Sequence, residues 1–179
     1  MKKLSQKSIV LKDPTSGYDK RIISKSFRLP NGMVENFFID EAKDSVQVFA
    51  LCDNQSKVIV VKQFRPGSET HELELPGGGI EQGEDPVEAG LRELKEETGY
   101  ECSQGILLSK VPYSPYSTGK RYNVLAADCR RSKDGLDLDP NEFLQVGIMP
   151  LEAFREAMSK GTVRGFEAAY QGLEKLGLL

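Results

Sequence analysis

Apolar residues in this chain gather in short strand-like runs. Val46–Cys52 and Lys57–Gln63, joined by Asp53-Asn54-Gln55-Ser56, predict a hairpin with a buried Val58-Ile59-Val60-Val61 run. Upstream, Lys7–Lys12, Asp19–Leu29 and Met33–Asp40 are of strand type, and Pro30-Asn31-Gly32 supplies a hairpin turn. Arg21–Leu29 alternates for part of its length, as a strand with one wet face does. Downstream, Gly105–Val111, Arg121–Cys129 and Glu142–Met149 predict strands, the last of them closing the series. Pro112–Gly119 is a loop with aromatics and hydroxyls, and Arg130–Pro140 a polar, exposed connection. Leu151–Ser159 and Gly165–Leu176 predict helices. Their stripes, Phe154, Ala157 and Met158 and then Phe166, Tyr170 and Leu173, are expected in the core. The chain reads as α+β, with an N-terminal β-sheet region over 1–42 and the main domain over 43–179.

One helix stands apart from this strand-rich pattern. Asp85 is placed to cap it, Pro86 fits its first position, Glu88 is the third-position acid of a capping box, and Gly99 is a left-handed stop. The punctuation predicts a helix over about 86–98. Val87, Leu91 and Leu94 form its apolar stripe, while Glu93, Glu96 and Glu97 fall roughly 130° away. Carboxylates three and four residues apart destabilise a helix by a few tenths of a kcal/mol per pair. A hard divalent cation reverses that sign, because Mg²⁺ and Mn²⁺ take oxygen ligands. Arg92, at helical spacing from Glu88 and Glu96, can orient a carboxylate through its planar fork. A solvated acidic face is the plainer reading of any Glu-rich helix. Gly77-Gly78-Gly79 ahead of it is either a ligand-hugging backbone or a flexible turn.

Composition narrows the field. A chain of 179 residues suits one domain, and 39% hydrophobic with 28% charged residues is ordinary for a globular protein. A formal net charge of −3 argues against a general nucleic-acid surface but not against nucleotides, whose phosphates a metal can neutralise. Cys52, Cys102 and Cys129 form no CxxC pair, and His71 is the only histidine, so a zinc site is not expected. That cysteine count suits a reducing cytoplasm. The lysine-bearing N-terminus lacks the apolar run of a signal peptide, and no stretch approaches the roughly 20 apolar residues of a membrane span.

The spacing is more specific than the composition. Gly78, five residues, Glu84, seven residues, then Arg92-Glu93-Leu94-Lys95-Glu96-Glu97-Thr98-Gly99-Tyr100 resembles the Nudix box of the Nudix hydrolases. Tyr100 stands where the family carries an aliphatic residue; the other fixed positions match. The resemblance implies an α/β/α sandwich around a mixed β-sheet, with an N-terminal antiparallel sheet that packs across a two-fold homodimer. It further implies hydrolysis of a nucleoside diphosphate linked to another group. Mg²⁺, with Mn²⁺ as the alternative, would be held by Glu93, Glu96, Glu97 and the carbonyl of Gly77, and would lower the pKa of a bound water. Glu84 would stand in an outer-shell or bridging role. The general base would be Glu142, in the stretch Asp137–Phe143, or Glu97 as in other family members.

Gln63-Phe64-Arg65-Pro66, Glu72–Gly78 and Pro115 resemble the ADP-ribose and nucleoside diphosphate sugar pyrophosphatases. That subgroup implies ADP-ribose as leading substrate, with GDP-mannose and UDP-sugars open. A nucleoside triphosphate hydrolase, an RNA 5′ pyrophosphohydrolase and a non-catalytic binding module are the rivals. Arg65 would grip the pyrophosphate or terminal ribose, or else pair with Glu72 or Glu74. Phe37, Phe38 and Tyr116 are candidates to stack on the base, although core packing is the plainer fate of the phenylalanines. Lys120 and Arg121 are candidates to reach phosphates, and Glu74 belongs to the same candidate substrate site. His71 is given no catalytic role.

Overall fold

The aliphatic run at Val58–Val61 forms the centre of the principal sheet in the computed structural model, which describes residues 1–12, 19–136 and 143–179. In chain order the elements are β1 (Lys2–Lys12), β2 (Asp19–Arg28), β3 (Val34–Asp40), β4 (Ser45–Cys52), β5 (Lys57–Arg65) and β6 (Thr70–Glu74). They continue with α1 (Pro86–Thr98), β7 (Tyr100–Glu101), β8 (Ile106–Pro112), β9 (Lys120–Arg131) and β10 (Leu144–Pro150). Last come α2 (Leu151–Ser159), β11 (Val163–Arg164) and α3 (Phe166–Leu176). The chain forms two compact units, Met1–Asp44 with Val111–Arg121, and Ser45–Lys110 with Tyr122–Leu179.

In the first unit β1, β2 and β3 make an antiparallel sheet. Gly32 takes φ 85 in the turn between β2 and β3, where its N–H donates to the Leu29 carbonyl. The Pro112–Gly119 loop is tied alongside the end of β3: Asp40 N–H donates to Tyr116 O at 2.8 Å, and Thr118 N–H to Asp40 O at 2.9 Å. Phe37 packs edge-on against Phe27 at 5.7 Å, while its neighbour Phe38 is 63% exposed. Core packing therefore does not account for Phe38.

In the second unit the strands run β11-β6-β5-β4-β9-β7, with β10 also on β5 and β8 also on β9. β11 is parallel to β6 and β10 antiparallel to β5, so the sheet is mixed. Period-two alternation divides its side chains between two faces. Phe49, Leu51, Val58, Val60 and Leu125 meet Phe154 of α2 and Leu173 of α3. Val46, Val48, Ala50, Ile59, Val124 and Ala126 meet Ala89 and Leu94 of α1. The result is the expected α+β sandwich, with an antiparallel N-terminal sheet.

Several expectations need correction. The Phe166, Tyr170, Leu173 stripe is not core as a whole: Phe166 and Tyr170 stack on each other while 53% and 44% exposed. α3 instead buries Ala168, Ala169, Gly172 and Leu173. Small residues win because the helix lies close to β4. A Cβ on Gly172 would stand 2.3 Å from a ring carbon of Phe49. β6, with its His-Glu-Leu-Glu sequence, was not foreseen as a strand, nor was β11. β10 begins at Leu144 and is followed by β11, so it does not close the series. β1 begins at Lys2 rather than Lys7, and β9 runs through Arg131 into the stretch expected as a polar, exposed connection, where Arg130 and Arg131 are exposed. Among the described residues no helix is long and apolar enough to cross a membrane.

Candidate active site

Local sequence sets the α1 helix as its punctuation requires. The Asp85 carboxylate accepts from the N–H groups of Val87 and Glu88, Pro86 occupies the first turn, and Gly99 adopts φ 68 with its N–H on Lys95 O. The helix buries Ala89, Gly90, Leu94, Glu97 and Thr98, with Val87 and Leu91 packed at the margin of the same cluster. Tyr100 packs against the same cluster, partly buried. This seating turns Glu93 and Glu97 towards the glycine loop.

That loop is held by the sheet. Val48 N–H donates to Pro76 O and Val46 N–H to Gly78 O, each at 2.9 Å, and Gly79 bridges to Ser45. A Cβ on Gly77 would meet the Val46 carbonyl oxygen at 2.2 Å, so only glycine fits against β4. Gly77 N–H donates to Glu97 Oε2 at 2.8 Å. A Cβ on Gly78 would stand 2.5 Å from the Glu93 carboxyl carbon. The glycine run is thus a cradle for two carboxylates rather than a loose turn.

Arg92 binds the remaining acids. Its Nε and Nη2 donate to the two oxygens of Glu84 at 2.8 and 3.1 Å, and its Nη1 to Glu93 at 3.0 Å and Glu96 at 2.8 Å. Nη2 also reaches the Gly79 carbonyl at 3.1 Å, fastening loop to helix. The hydrogen bond from Arg92 holds the Glu84 carboxyl below its usual range, helped by the Glu81 N–H, and these carboxylates push the guanidinium upward. A carboxyl whose folded pKa is depressed stabilises above its unfolded value and loses that contribution as pH falls through the folded pKa. Acid melts of wild type and Glu84→Gln should therefore diverge at neutral pH and converge below the ordinary carboxylate range; parallel curves would oppose this assignment.

One guanidinium faces the carboxylates of Glu84, Glu93 and Glu96, and Glu97 accepts from the Gly77 N–H, so the residues that could hold a hard cation such as Mg²⁺ are carboxylates on one helix and its preceding loop. Among the described residues no three acids enclose a cation position, and Glu84, Glu93 and Glu96 are each paired with Arg92. Arg92, Lys95, Glu96, Asp134, Gly135 and Leu136 line an adjoining cavity of about 480 Å³. The Lys95–Asp134 ion pair at 2.6 Å lies on its wall, a contact that local sequence gave no means of anticipating.

Other expected site residues lie as follows. Arg65 makes a two-pronged ion pair with Glu74, both contacts 2.6 Å, the pairing that sequence left open. Arg164, which sequence reasoning missed, binds Glu72 and approaches Glu74 at 3.9 Å. The parallel β11–β6 pairing that brings it there joins distant segments and leaves no local signal. Phe38, Tyr116, Lys120 and Arg121 belong to the first unit, where Tyr116 is 57% exposed and Arg121 stacks over Tyr113 at 4.8 Å. His71 sits edge-on to Phe64. Glu142 lies outside the described residues.

The family model described as NUDIX domain matches residues 42–168, a span that contains the cradle and the whole acid-bearing helix. The chain belongs to the Nudix family. It is a Nudix hydrolase, and two relatives match it over most of its length. The ADP-ribose pyrophosphatase of Bacillus subtilis (strain 168) is 32% identical over 171 residues, 95% of this chain and 92% of that protein. The methanol dehydrogenase activator of Bacillus methanolicus is 32% identical over 152 residues, 84% and 82% of the two chains. A crystal structure of an ADP compounds hydrolase shares the Nudix fold with a TM-score of 0.78, covering 100% of this chain and 98% of that one at 22% identity.

Proposed function

We propose that this Nudix hydrolase cleaves the pyrophosphate bond of a nucleoside diphosphate sugar in the presence of Mg²⁺, with ADP-ribose giving AMP and ribose 5-phosphate. The carrying observation is the cradle in which Gly77 N–H fixes Glu97 and Gly78 leaves room for the Glu93 carboxylate. Similarity to the Bacillus subtilis ADP-ribose pyrophosphatase supports the choice of substrate. So does the ADP-sugar pyrophosphatase of Mus musculus, 54% identical over 56 residues, 28% of this chain and 26% of that protein.

Bound Mg²⁺ would neutralise the pyrophosphate and acidify the attacking water. Glu93, Glu96 and Glu97, with the Gly77 carbonyl, would hold it. Arg92 keeps Glu93 and Glu96 in register and ties Glu84 to the loop. Glu97 or Glu142 accepts the water proton as its oxygen bonds to phosphorus and the bridging P–O bond breaks. Arg65, held flat by Glu74, presents a guanidinium to the phosphates or terminal ribose. Phe38, Tyr116 and Arg121 are assigned to the nucleoside and phosphate contacts. The working form is a homodimer in the cytoplasm. Leu4, Ile9, Val10 and Leu11 on β1, exposed by 38–56%, support a second copy covering the N-terminal sheet.

ADP-ribose, GDP-mannose and a deoxynucleoside triphosphate turned over side by side with Mg²⁺ test the reading. AMP released fastest from ADP-ribose is the expected result. Preferential release of pyrophosphate from the triphosphate would replace it.

A further inference from the structure

All three cysteines of the chain meet in one region of the second unit. Tyr100 and Glu101 of β7 pair antiparallel with Arg131 and Arg130 of β9. The ladder ends at Glu101 and Arg130, and the next residues along each strand are Cys102 and Cys129. Residues directly opposed across an antiparallel pair have Cβ atoms about 4.5–5.5 Å apart, near the roughly 3.5–4.5 Å of a disulfide. The side chains complete the approach. Cys102 Sγ reaches across to the Ala127 carbonyl at 2.9 Å, and Cys102 and Cys129 pack in the same cluster, where Cys129 Sγ donates to Ala126 O at 3.2 Å. Both are free thiols, as is Cys52.

Access separates the three. Cys52 and Cys129 are 2% and 5% exposed, whereas Cys102 is partly open to solvent. An oxidant therefore reaches Cys102 first, with Cys129 waiting behind it. Burial also pushes the Cys129 thiol upward, so it is not the first target.

We propose that Cys102 and Cys129 form a peroxide-oxidisable pair that closes to an intramolecular disulfide beside the end of the acid-bearing helix. The Cys102 thiolate attacks a hydroperoxide: an S–O bond forms, the O–O bond breaks, and the departing alkoxide takes a proton and leaves as alcohol or, from hydrogen peroxide, water. Cys129 sulfur then attacks the sulfenic sulfur; the S–S bond forms, the S–O bond breaks, and hydroxide leaves as water with the Cys129 proton. Both thiols are oxidised and one peroxide is reduced. The link falls next to a junction that already matters, because Ser132 N–H of the strand partner donates to Gly99 O at the α1 cap. Closing it fastens the segment leaving α1 to β9.

The test is non-reducing peptide mapping of the full chain after stoichiometric hydrogen peroxide, with free thiols counted in parallel. The expected result is a Cys102–Cys129 linked peptide, a fall from three free thiols to one, and a Tm raised by roughly 5–10 °C that dithiothreitol reverses. Cys52→Ser should retain this response, and Cys102→Ser and Cys129→Ala should each lose it. A Cys52-containing link, a bond between two chains, or Cys102 oxidised to the sulfinic acid with Cys129 still free would each overturn the proposal.

Discussion

Glu93→Gln should lower kcat for the proposed ADP-ribose hydrolysis by on the order of 10²-fold or more, a rise of at least about 2.7 kcal/mol in the barrier. Glutamine keeps the volume of the side chain that fills the Gly78 cradle, so the loss isolates charge from packing. Glu97→Gln should act alike, because an amide oxygen can still accept from Gly77 N–H. Both carboxylates come from one helix, seated by the close approach of Gly90 to Val46, Val48 and Val124. Steady-state kinetics at saturating Mg²⁺, with melting curves confirming folded protein, read the effect. An unchanged kcat in both variants would remove these acids from the chemistry.

Arg92→Ala should lower stability in EDTA by about 2–3 kcal/mol, because charge-assisted hydrogen bonds to several carboxylates disappear together. Arg92 and Glu96 remain 29% and 37% exposed, so solvent screening keeps the figure below that of a fully buried pair. The sharper expectation concerns metal. With the guanidinium gone, Glu84, Glu93 and Glu96 repel one another, and Mg²⁺ should restore more stability to the variant than it adds to wild type. Thermal melts of both proteins in EDTA and in Mg²⁺ give the comparison. Equal Mg²⁺ shifts would mean that Arg92 and the cation do not serve the same charges.

The α1 helix was legible to the residue because its end signals agreed: Asp85 caps it, Pro86 opens it, and Gly99 in the left-handed region closes it, although among the described residues no Glu88 side-chain bond completes the expected capping box. The hairpin of β4 and β5 was equally plain, since Val58–Val61 is apolar on both faces of a central strand. What failed was set by partners distant in sequence. β6 is short and polar, and is a strand because β5 and β11 hydrogen-bond it on either side. The face of α3 follows from how closely Gly172 lets β4 approach, which aromatic periodicity cannot report. Within the site, the acids and Arg92 were visible as a spaced motif. Whether Arg65 would face ligand or Glu74 is not written in either strand alone: β5–β6 register sets Arg65 opposite Thr70, and the guanidinium reaches Glu74 four positions along β6.

Mn²⁺ located by anomalous scattering in crystals of the full chain, soaked with a non-hydrolysable ADP-ribose analogue, reads the central claim directly. A peak within about 2.0–2.4 Å of carboxylate oxygens of Glu93 and Glu97, with the analogue's phosphates alongside, is the predicted result. Manganese and analogue bound together away from α1, with those carboxylates still turned to Gly77 and Arg92, would contradict it.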